Sequence, residues 1–442
     1  MSEASQLKIL CDCFFNIERK HDLDTMQISG VYFWKLLRLR LYYQLAQKKG
    51  IFGNPHPSTF KFNKLLGLWK ALSNFPFCMG KNKTCFVGHS RKVNGKDMYL
   101  EKILSNFDNK YEIIEPFYSP TGFNTRYSLD IFKIIALSLS KIFKIRLAAK
   151  DRELIGKIEE DFQDNLGVMP DQLTKEVKER VSYHKILRTL YKFFLRWKKV
   201  KALYVVVGHS HHEFIQAAKN LGIPTFEIQH AILSPYHLGY HFPDWKQVPY
   251  VADTFLLFGS FWEKAVTHPP KMKMEVLGAP SVIKDLQERA PTAVKKKIIA
   301  VMSQGIVGEK LFKFAFDIAK SLPDYQVLFR LHPSEKEEDF KHLVSEKNNL
   351  PSNMRFSKDE CSTYDLLLEA KYVFGVSSTT LYEAIVARAQ PLIINLEGAE
   401  YMEPLYKNEN IPLFETTKEC TVYIQENHDI HPIDSSPFYS LR

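Results

Sequence analysis

Short apolar, β-rich runs recur along the chain, and most end in a polar or glycine-bearing turn followed by residues at helical spacing. That alternation is the signature of a parallel sheet whose strands are joined by helical crossovers. In the first two thirds it predicts strands at 84–87, 111–114, 203–207, 225–228 and 254–258, with a long helical insertion over about 127–200 between the second and the third. The rest is more regular, with strands expected at 298–302, 326–331, 372–374 and 391–395 and helices at 309–321, 335–346, 364–370 and 379–388. The chain reads as α/β, with two Rossmann-like domains, 1–285 and 286–442. The join falls in the polar, proline-bearing segment 280–297, and the C-terminal tail is expected to pack back on the first domain.

At 442 residues and 45% apolar, the chain is too long for one ordinary core and too apolar to be disordered. Cys11, Cys13, Cys78, Cys85, Cys361 and Cys420 show no CxxC and no regular spacing, which fits neither a disulfide framework nor a zinc site and points to a reduced, cytoplasmic compartment. The first residues lack the basic start and apolar run of a signal peptide. The most apolar stretch, 131–147, is broken by Lys133, Lys141, Lys144 and Arg146, so neither secretion nor membrane spanning is expected.

Charge changes this picture. The formal net charge of +10 is concentrated between Thr25 and Lys96, where 13 Lys or Arg occur and no Asp or Glu. The same segment carries Tyr32, Phe33, Trp34, Tyr42, Tyr43 and Trp69. Basic and aromatic residues so mixed are expected of a peripheral protein on an anionic membrane, here the inner face of the plasma membrane. Lys185, Arg188, Lys192, Arg196 and Lys199 form a second basic stripe on one helical face, with Leu187, Leu190, Phe194 and Trp197 on another. The competing reading is two half-buried helices with solvated basic faces. No helix-turn-helix, RRM or zinc-finger pattern supports nucleic acid as the partner.

Candidate chemistry lies at the predicted strand ends. In the segment from Gly375 to Ala384, Ser377, Ser378, Thr379 and Thr380 stand where a strand turns into a helix, a natural phosphate site. Capping alone, with Thr380 and Glu383 as a capping box, is the rival account. Arg330, Leu331, His332 and Pro333 close a strand taken to be its neighbour, which would bring His332 to the same crevice. Gly305, after another strand, would let backbone approach the ligand.

The His-Pro pair followed by the double-serine turn resembles the donor-binding motifs of bacterial GT-B glycosyltransferases, notably the sialyltransferase, Kdo-transferase and CDP-glycerol polymerase groups that build capsules, lipopolysaccharide and teichoic acids. These motifs cover only the C-terminal half. The resemblance implies two Rossmann-like domains facing each other across a cleft. Donor phosphates would be bound by His332, Pro333, Ser377 and Ser378, with Thr379 and Arg330 beside them, and Glu383 would reach the ribose or base. It favours a CMP-activated acidic sugar over a UDP-sugar.

In the N-terminal half, Gln229, His230 and Ala231 are similar to the Gln-His-Gly turn of capsule and polyol-phosphate transferases, departing from it at Ala231. His230 is the candidate general base, since an imidazole can take the proton of an attacking hydroxyl. Asp97 is a second candidate, against the plainer reading of a solvated loop acid. The paired turns Val87-Gly88-His89-Ser90 and Val207-Gly208-His209-Ser210 share one rim. They are expected, with Gln229, to line the acceptor cleft. Asp22-Leu23-Asp24 reads as a loop, and His209, His211 and His212 lack an evident carboxylate or thiolate partner, so no metal is expected.

The expected activity is metal-independent, inverting transfer from a nucleotide-activated sugar, the co-substrate, to a surface polysaccharide or glycolipid, without a cofactor. The competitors are a hydrolysing UDP-sugar 2-epimerase and a non-catalytic peripheral membrane scaffold.

Overall fold

The computed structural model of the chain describes residues 5–51, 64–89, 92–93, 96–104, 107, 110–116, 127–305, 307–332, 335–344, 349–357, 362–426 and 433–440. Ser90, Pro333 and Cys361 lie outside the described residues.

Six parallel strands form the first sheet: β1 (Thr84–Val87), β2 (Tyr111–Ile114), β3 (Ala202–Val206), β4 (Thr225–Ile228), β5 (Thr254–Leu257) and β6 (Lys273–Val276). Their order across the sheet is β2-β1-β3-β4-β5-β6. The second sheet holds β7 (Lys296–Met302), β8 (Gln326–Arg330), β9 (Met354–Ser357), β10 (Ala370–Gly375), β11 (Gln390–Ile394) and β12 (Leu413–Phe414), in the order β9-β8-β7-β10-β11-β12, again all parallel. This is the GT-B arrangement of two Rossmann-like domains. The order reverses between β1 and β3 in one sheet and between β7 and β10 in the other, and crevices open at the carboxyl ends of those pairs.

Interior strands fall where the apolar runs predict them, because both faces are covered and most positions are apolar; β1, β5 and β11 are buried throughout. The strands that the pattern does not predict, β6, β9 and β12, all lie at sheet edges. β6 alternates exposed and half-buried positions and β12 has two residues, so neither carries a continuous apolar run. The helix expected at 335–346 is only a 3₁₀ stretch, Glu337–Leu343.

Among the described residues three helices precede the first sheet, α1 (Gln6–Lys20), α2 (Phe33–Lys48) and α3 (Lys64–Ser73). The insertion consists of α4 (Asp130–Ile142), α5 (Ala149–Leu166) and α6 (Leu173–Lys198). Then come α7 (His212–Lys219), α8 (Ser281–Arg289), α9 (Gly308–Ser321) and α10 (Thr379–Val386). Helix α8, which the 285/286 boundary would split, packs on α10 and so sits with the second sheet. The tail returns to the first sheet: Ser440 N–H donates to Phe258 O at 2.9 Å, and Trp262 Nε1 donates to Phe438 O at 2.9 Å.

Helix α2 corrects the reading of the basic, aromatic segment. Phe33, Trp34, Leu37, Leu41 and Tyr42 are buried, and Lys35 and Arg38 are buried with them. While Arg40, Tyr43 and Lys48 on the same helix remain exposed, these rings face the core, not a membrane. The reason is Glu18 on α1, also buried. Its Oε1 accepts from Trp34 Nε1 at 2.8 Å and Arg38 Nε at 2.5 Å, and its Oε2 accepts from Trp245 Nε1 at 3.0 Å and Arg38 Nη2 at 3.1 Å. Arg38 Nη1 also donates to the carbonyls of Leu238 and His241, the latter at 2.7 Å. The charges thus leave water with their hydrogen bonds made, which is the condition for burying them. No described helix is long and apolar enough to cross a membrane.

Removing one charge strands the other. Glu18→Gln is expected to destabilise the chain by about 3–5 kcal/mol, read as a lower urea midpoint at unchanged slope.

Candidate active site

At the second sheet's switch point, the chain leaves β7 through Ser303, Gln304 and Gly305 and leaves β10 through Val376, Ser377 and Ser378. Gln304 joins the two exits: its Oε1 accepts from Ser377 N at 2.8 Å and its Nε2 donates to Ser377 Oγ at 3.0 Å. On the other side, Ser303 Oγ donates to Glu335 Oε1 at 3.0 Å, and His332 N–H donates to Glu335 Oε2 at 2.7 Å. His332 and Ser377 therefore do not leave neighbouring strands. β7 runs between β8 and β10, and its last residues brace both turns. Two strand spacings separate the imidazole's strand from the serines' strand, about 10 Å.

Ser378, not Thr380, caps α10. Ser378 Oγ accepts from Thr380 N at 3.2 Å and donates to Thr380 Oγ1 at 2.9 Å. Ser377, Ser378 and Thr379 are half-buried at this helix start, Gly305 is half-buried nearby, and His332 is exposed. Glu383 is buried. Arg330 turns its guanidinium to Ser357 Oγ, at 3.2 Å, at the end of β9.

The first sheet's switch point carries the paired turns. Between β1 and β3 opens a cavity of ≈ 350 Å³ lined by Gly88, His89, Lys133, Tyr191, Ser210 and His211 among others. Gly208 is required by its neighbour: a Cβ there would stand 2.1 Å from Glu227 Oε2. Val207, just before it, holds a left-handed φ of 63°, a strained conformation for a β-branched residue and one that turns the chain sharply off β3.

An arc of imidazoles follows. The His209 ring lies 6.0 Å from His230 and 5.7 Å from His237, and His89 lies 6.1 Å from His230, between ring centroids. Burial lowers the pKa of His230 to about 3, with His237 and His89 adding to the effect, and that of His237 to about 4. His209 is pushed well below the usual imidazole range, first by burial and then by its histidine neighbours. Within the arc, His209, His230 and His237 are therefore neutral at pH 7.

Its tautomers follow from the hydrogen bonds. Tyr240 Oη donates to Glu227 Oε1 at 2.8 Å, and Gly208 N–H donates to the same oxygen at 2.7 Å. Having spent its one proton, Tyr240 Oη accepts from His230 Nδ1 at 3.3 Å, which leaves the lone pair of His230 on Nε2. His237 Nδ1 accepts from Gly239 N at 3.2 Å, so its neutral ring carries the proton on Nε2. Below the arc, Lys35, His209, His212 and Glu227 line a cavity of ≈ 10 Å³, about the size of one water.

Residues of the second domain reach this arc. The Tyr401 ring lies 6.5 Å from His237, and its Oη is 3.1 Å from Tyr42 Oη on α2. Tyr236 Oη donates to Glu403 Oε2 at 2.7 Å. Just before Tyr401, Gly398 takes a φ of +100° and comes so close to the serine turn that a Cβ would stand 3.3 Å from Ser377 Oγ. One short segment thus touches the serine turn at one end and the histidine arc at the other.

Two expected site residues hold backbone instead. Gln229 is buried, its Oε1 accepting from Phe258 N at 2.9 Å and its Nε2 donating to Ala231 O at 3.1 Å. It ties the ends of β4 and β5 together. Asp97 is buried and accepts from the backbone N–H groups of His89, Tyr99 and Leu100 at 2.7, 3.0 and 3.3 Å, fixing the first turn rather than standing in solvent. Asp22 and Asp24 lie in the turn after α1, where Asp24 accepts from Lys246 N at 2.9 Å. No metal-ligating cluster occurs among the described residues. The sequence reading missed Gln304, Glu335, Glu227, His237 and Tyr240 as site residues. Only the density of histidines between 209 and 241 signalled the last two.

No protein-family model and no curated protein sequence matches the chain. Among solved structures it is similar to UDP-GlcNAc 2-epimerase of Methanocaldococcus jannaschii in complex with UDP-GlcNAc and UDP, at TM-score 0.46 and 11% identity, covering 81% of this chain and 95% of that one. It is similar to UDP-N-acetylglucosamine 2-epimerase of Rickettsia bellii, at TM-score 0.46 and 16% identity over 79% and 89% of the two chains. A third is Anabaena Alr3699/HepE in complex with UDP-glucose, at TM-score 0.42 and 13% identity over 78% and 89%. These likenesses concern the fold; the chemistry of the site rests on its own residues.

The arc has a pH signature. The folded pKa values of His230 and His237 lie below the ordinary value of 6.5. Above that value both states are neutral and nothing is lost. As pH falls, the unfolded chain takes up protons first, so stability drops until the folded pKa values of about 3 and 4 are passed. Each such histidine contributes a slope of about 1.4 kcal/mol per pH unit. His230→Gln is expected to flatten the dependence by one such slope, measured by denaturant unfolding across this window.

Proposed function

We propose that the chain is a metal-independent glycosyltransferase that moves a sugar from a nucleotide-activated donor to a hydroxyl of a surface polysaccharide or glycolipid. The observation that carries this reading is the serine turn at the β7/β10 switch point, braced by Gln304 and joined through Gly398 and Tyr401 to an arc of imidazoles.

In this reading the donor phosphate lies at the start of α10, where Ser377, Ser378 and Thr379 supply hydroxyls and the helix start favours negative charge. His332 approaches from the far side of β7. The acceptor enters by the cavity that holds His89 and Ser210. His230 Nε2 takes the proton of the attacking hydroxyl as its oxygen bonds to the anomeric carbon and the bond from that carbon to the phosphate oxygen breaks. The leaving phosphate carries the electron pair away, its charge met by the dipoles of the turn. A single base and direct displacement give inversion. Glu227, through Tyr240, holds the His230 tautomer, and Asp97 positions His89. The resemblance of the His-Pro and double-serine motifs favours a CMP-activated acidic sugar.

A thermal-shift series with CMP, CDP, UDP and GDP tests the donor side. One nucleotide is expected to raise the melting temperature, and Ser377→Ala and Gln304→Ala to weaken its binding. No shift with any of them at millimolar concentration sinks the reading. With the donor identified, His230→Ala is expected to lower kcat by about 10²–10⁴-fold at little change in nucleotide affinity. Release of nucleotide together with an epimerised free sugar and no acceptor product would assign the hydrolysing epimerase instead.

A further inference from the structure

We propose that the corner formed by the end of α3, the loop before β1 and the last turns of α6 docks the protein on an anionic lipid surface. Phe77 and Phe193 are 68% and 61% exposed, and Leu72 is 50% exposed. Both rings rest on Trp197, with centroids 6.2 and 6.3 Å apart, and Phe75 lies against Trp197 at 6.1 Å and against Phe77 at 4.7 Å. The result is an assembled aromatic plate, unlike the scattered single apolar residues of an ordinary surface.

The plate is held rigid from below. Lys198 is buried, and its Nζ donates to Phe77 O at 2.9 Å and Met79 O at 3.0 Å, tying the loop to the end of α6. Asn82 N–H donates to Lys198 O at 3.0 Å, and Lys201 N–H to Lys83 O at 3.1 Å, which brings the two basic stretches side by side.

Charge names the occupant. Lys81, Arg196, Lys199 and Lys201 are exposed around this junction. No Asp or Glu occurs from 25 to 96 or from 184 to 212. Glu112, which reaches the corner from β2, meets Gly80 N at 3.3 Å. Exposed rings within a collar of cations match a bilayer interface, where rings sit at headgroup depth and each nearby cation adds attraction. The rings pack on one another and are not spaced along a groove, which favours a lipid surface over stacked bases. The basic, aromatic surface expected from composition thus lies at this corner and not on α2.

Docking here does not depend on the transferase reading, because it is measured without donor or acceptor. The full chain is sedimented with vesicles of phosphatidylcholine alone or mixed with phosphatidylglycerol. Binding is expected to the mixed vesicles only and to weaken with salt. The triple variant K81E/R196E/K199E changes only exposed residues and is expected to lower partitioning on the order of 100-fold. F77S/F193S is expected to lower it about tenfold or more, with circular dichroism confirming the fold of both variants. Equal binding to both vesicles, binding to neither, or wild-type binding by the variants overturns the proposal. So does a dimer in light scattering that F77S/F193S abolishes without any lipid binding, or retention of a single-stranded oligonucleotide in place of vesicles.

Discussion

The buried Glu18–Arg38 pair is the constraint from which the geometry of the histidine arc follows. It joins α1 to α2 and, through Trp245 and the carbonyls of Leu238 and His241, clamps the loop between β4 and β5. That loop carries His237 and Tyr240, which hold the arc and the His230 tautomer. An ion pair in a low-dielectric interior is tolerable only when each polar atom has a partner in the right place. The same condition that makes the pair costly to disturb makes the loop's position specific. The two helices that precede both sheets in the chain therefore set the position of the loop that carries these histidine-arc residues.

One device recurs at the carboxyl edges of both sheets, a side chain on or just after one strand satisfying the backbone that follows its neighbour. Gln304 does this for Ser377 in the second sheet, and Glu227 for Gly208 in the first. Each leaves the chemistry-bearing residues beside it, the serines in one case and the imidazoles in the other, in a fixed turn. Rigid support of this kind is what allows hydroxyls and dipoles to act without reorganising as charge develops. The burial that fixes His209, His230 and His237 also holds their pKa values below the ordinary imidazole range.

Much of the fold was legible in the residues. The runs that became β1, β4 and β5 are apolar because crossover helices cover both faces, and the same coverage makes them conspicuous. β6, β9 and β12 were not legible, since an edge strand needs only one dry side. The serine turn announced itself by its hydroxyls, and the paired Val-Gly-His-Ser turns by their repetition. That Gln229 and Asp97 hold neighbouring backbone was not legible, for one shared reason. A polar side chain at a strand end looks the same in sequence whether it faces a ligand or caps a neighbouring backbone.

The residues alone determined two doubly wound sheets, the helical insertion and the placing of histidines and serines at strand ends, because these depend on local periodicity and turn chemistry. Tertiary structure decided that β7 separates His332 from Ser377, that Lys35 and Arg38 are interior, and that the exposed basic and aromatic surface lies at the end of α6. Strand order and the partner of a buried charge are set by contacts between residues far apart in the chain, such as Glu18 with Trp245 or Gln304 with Ser377, and no local pattern encodes them.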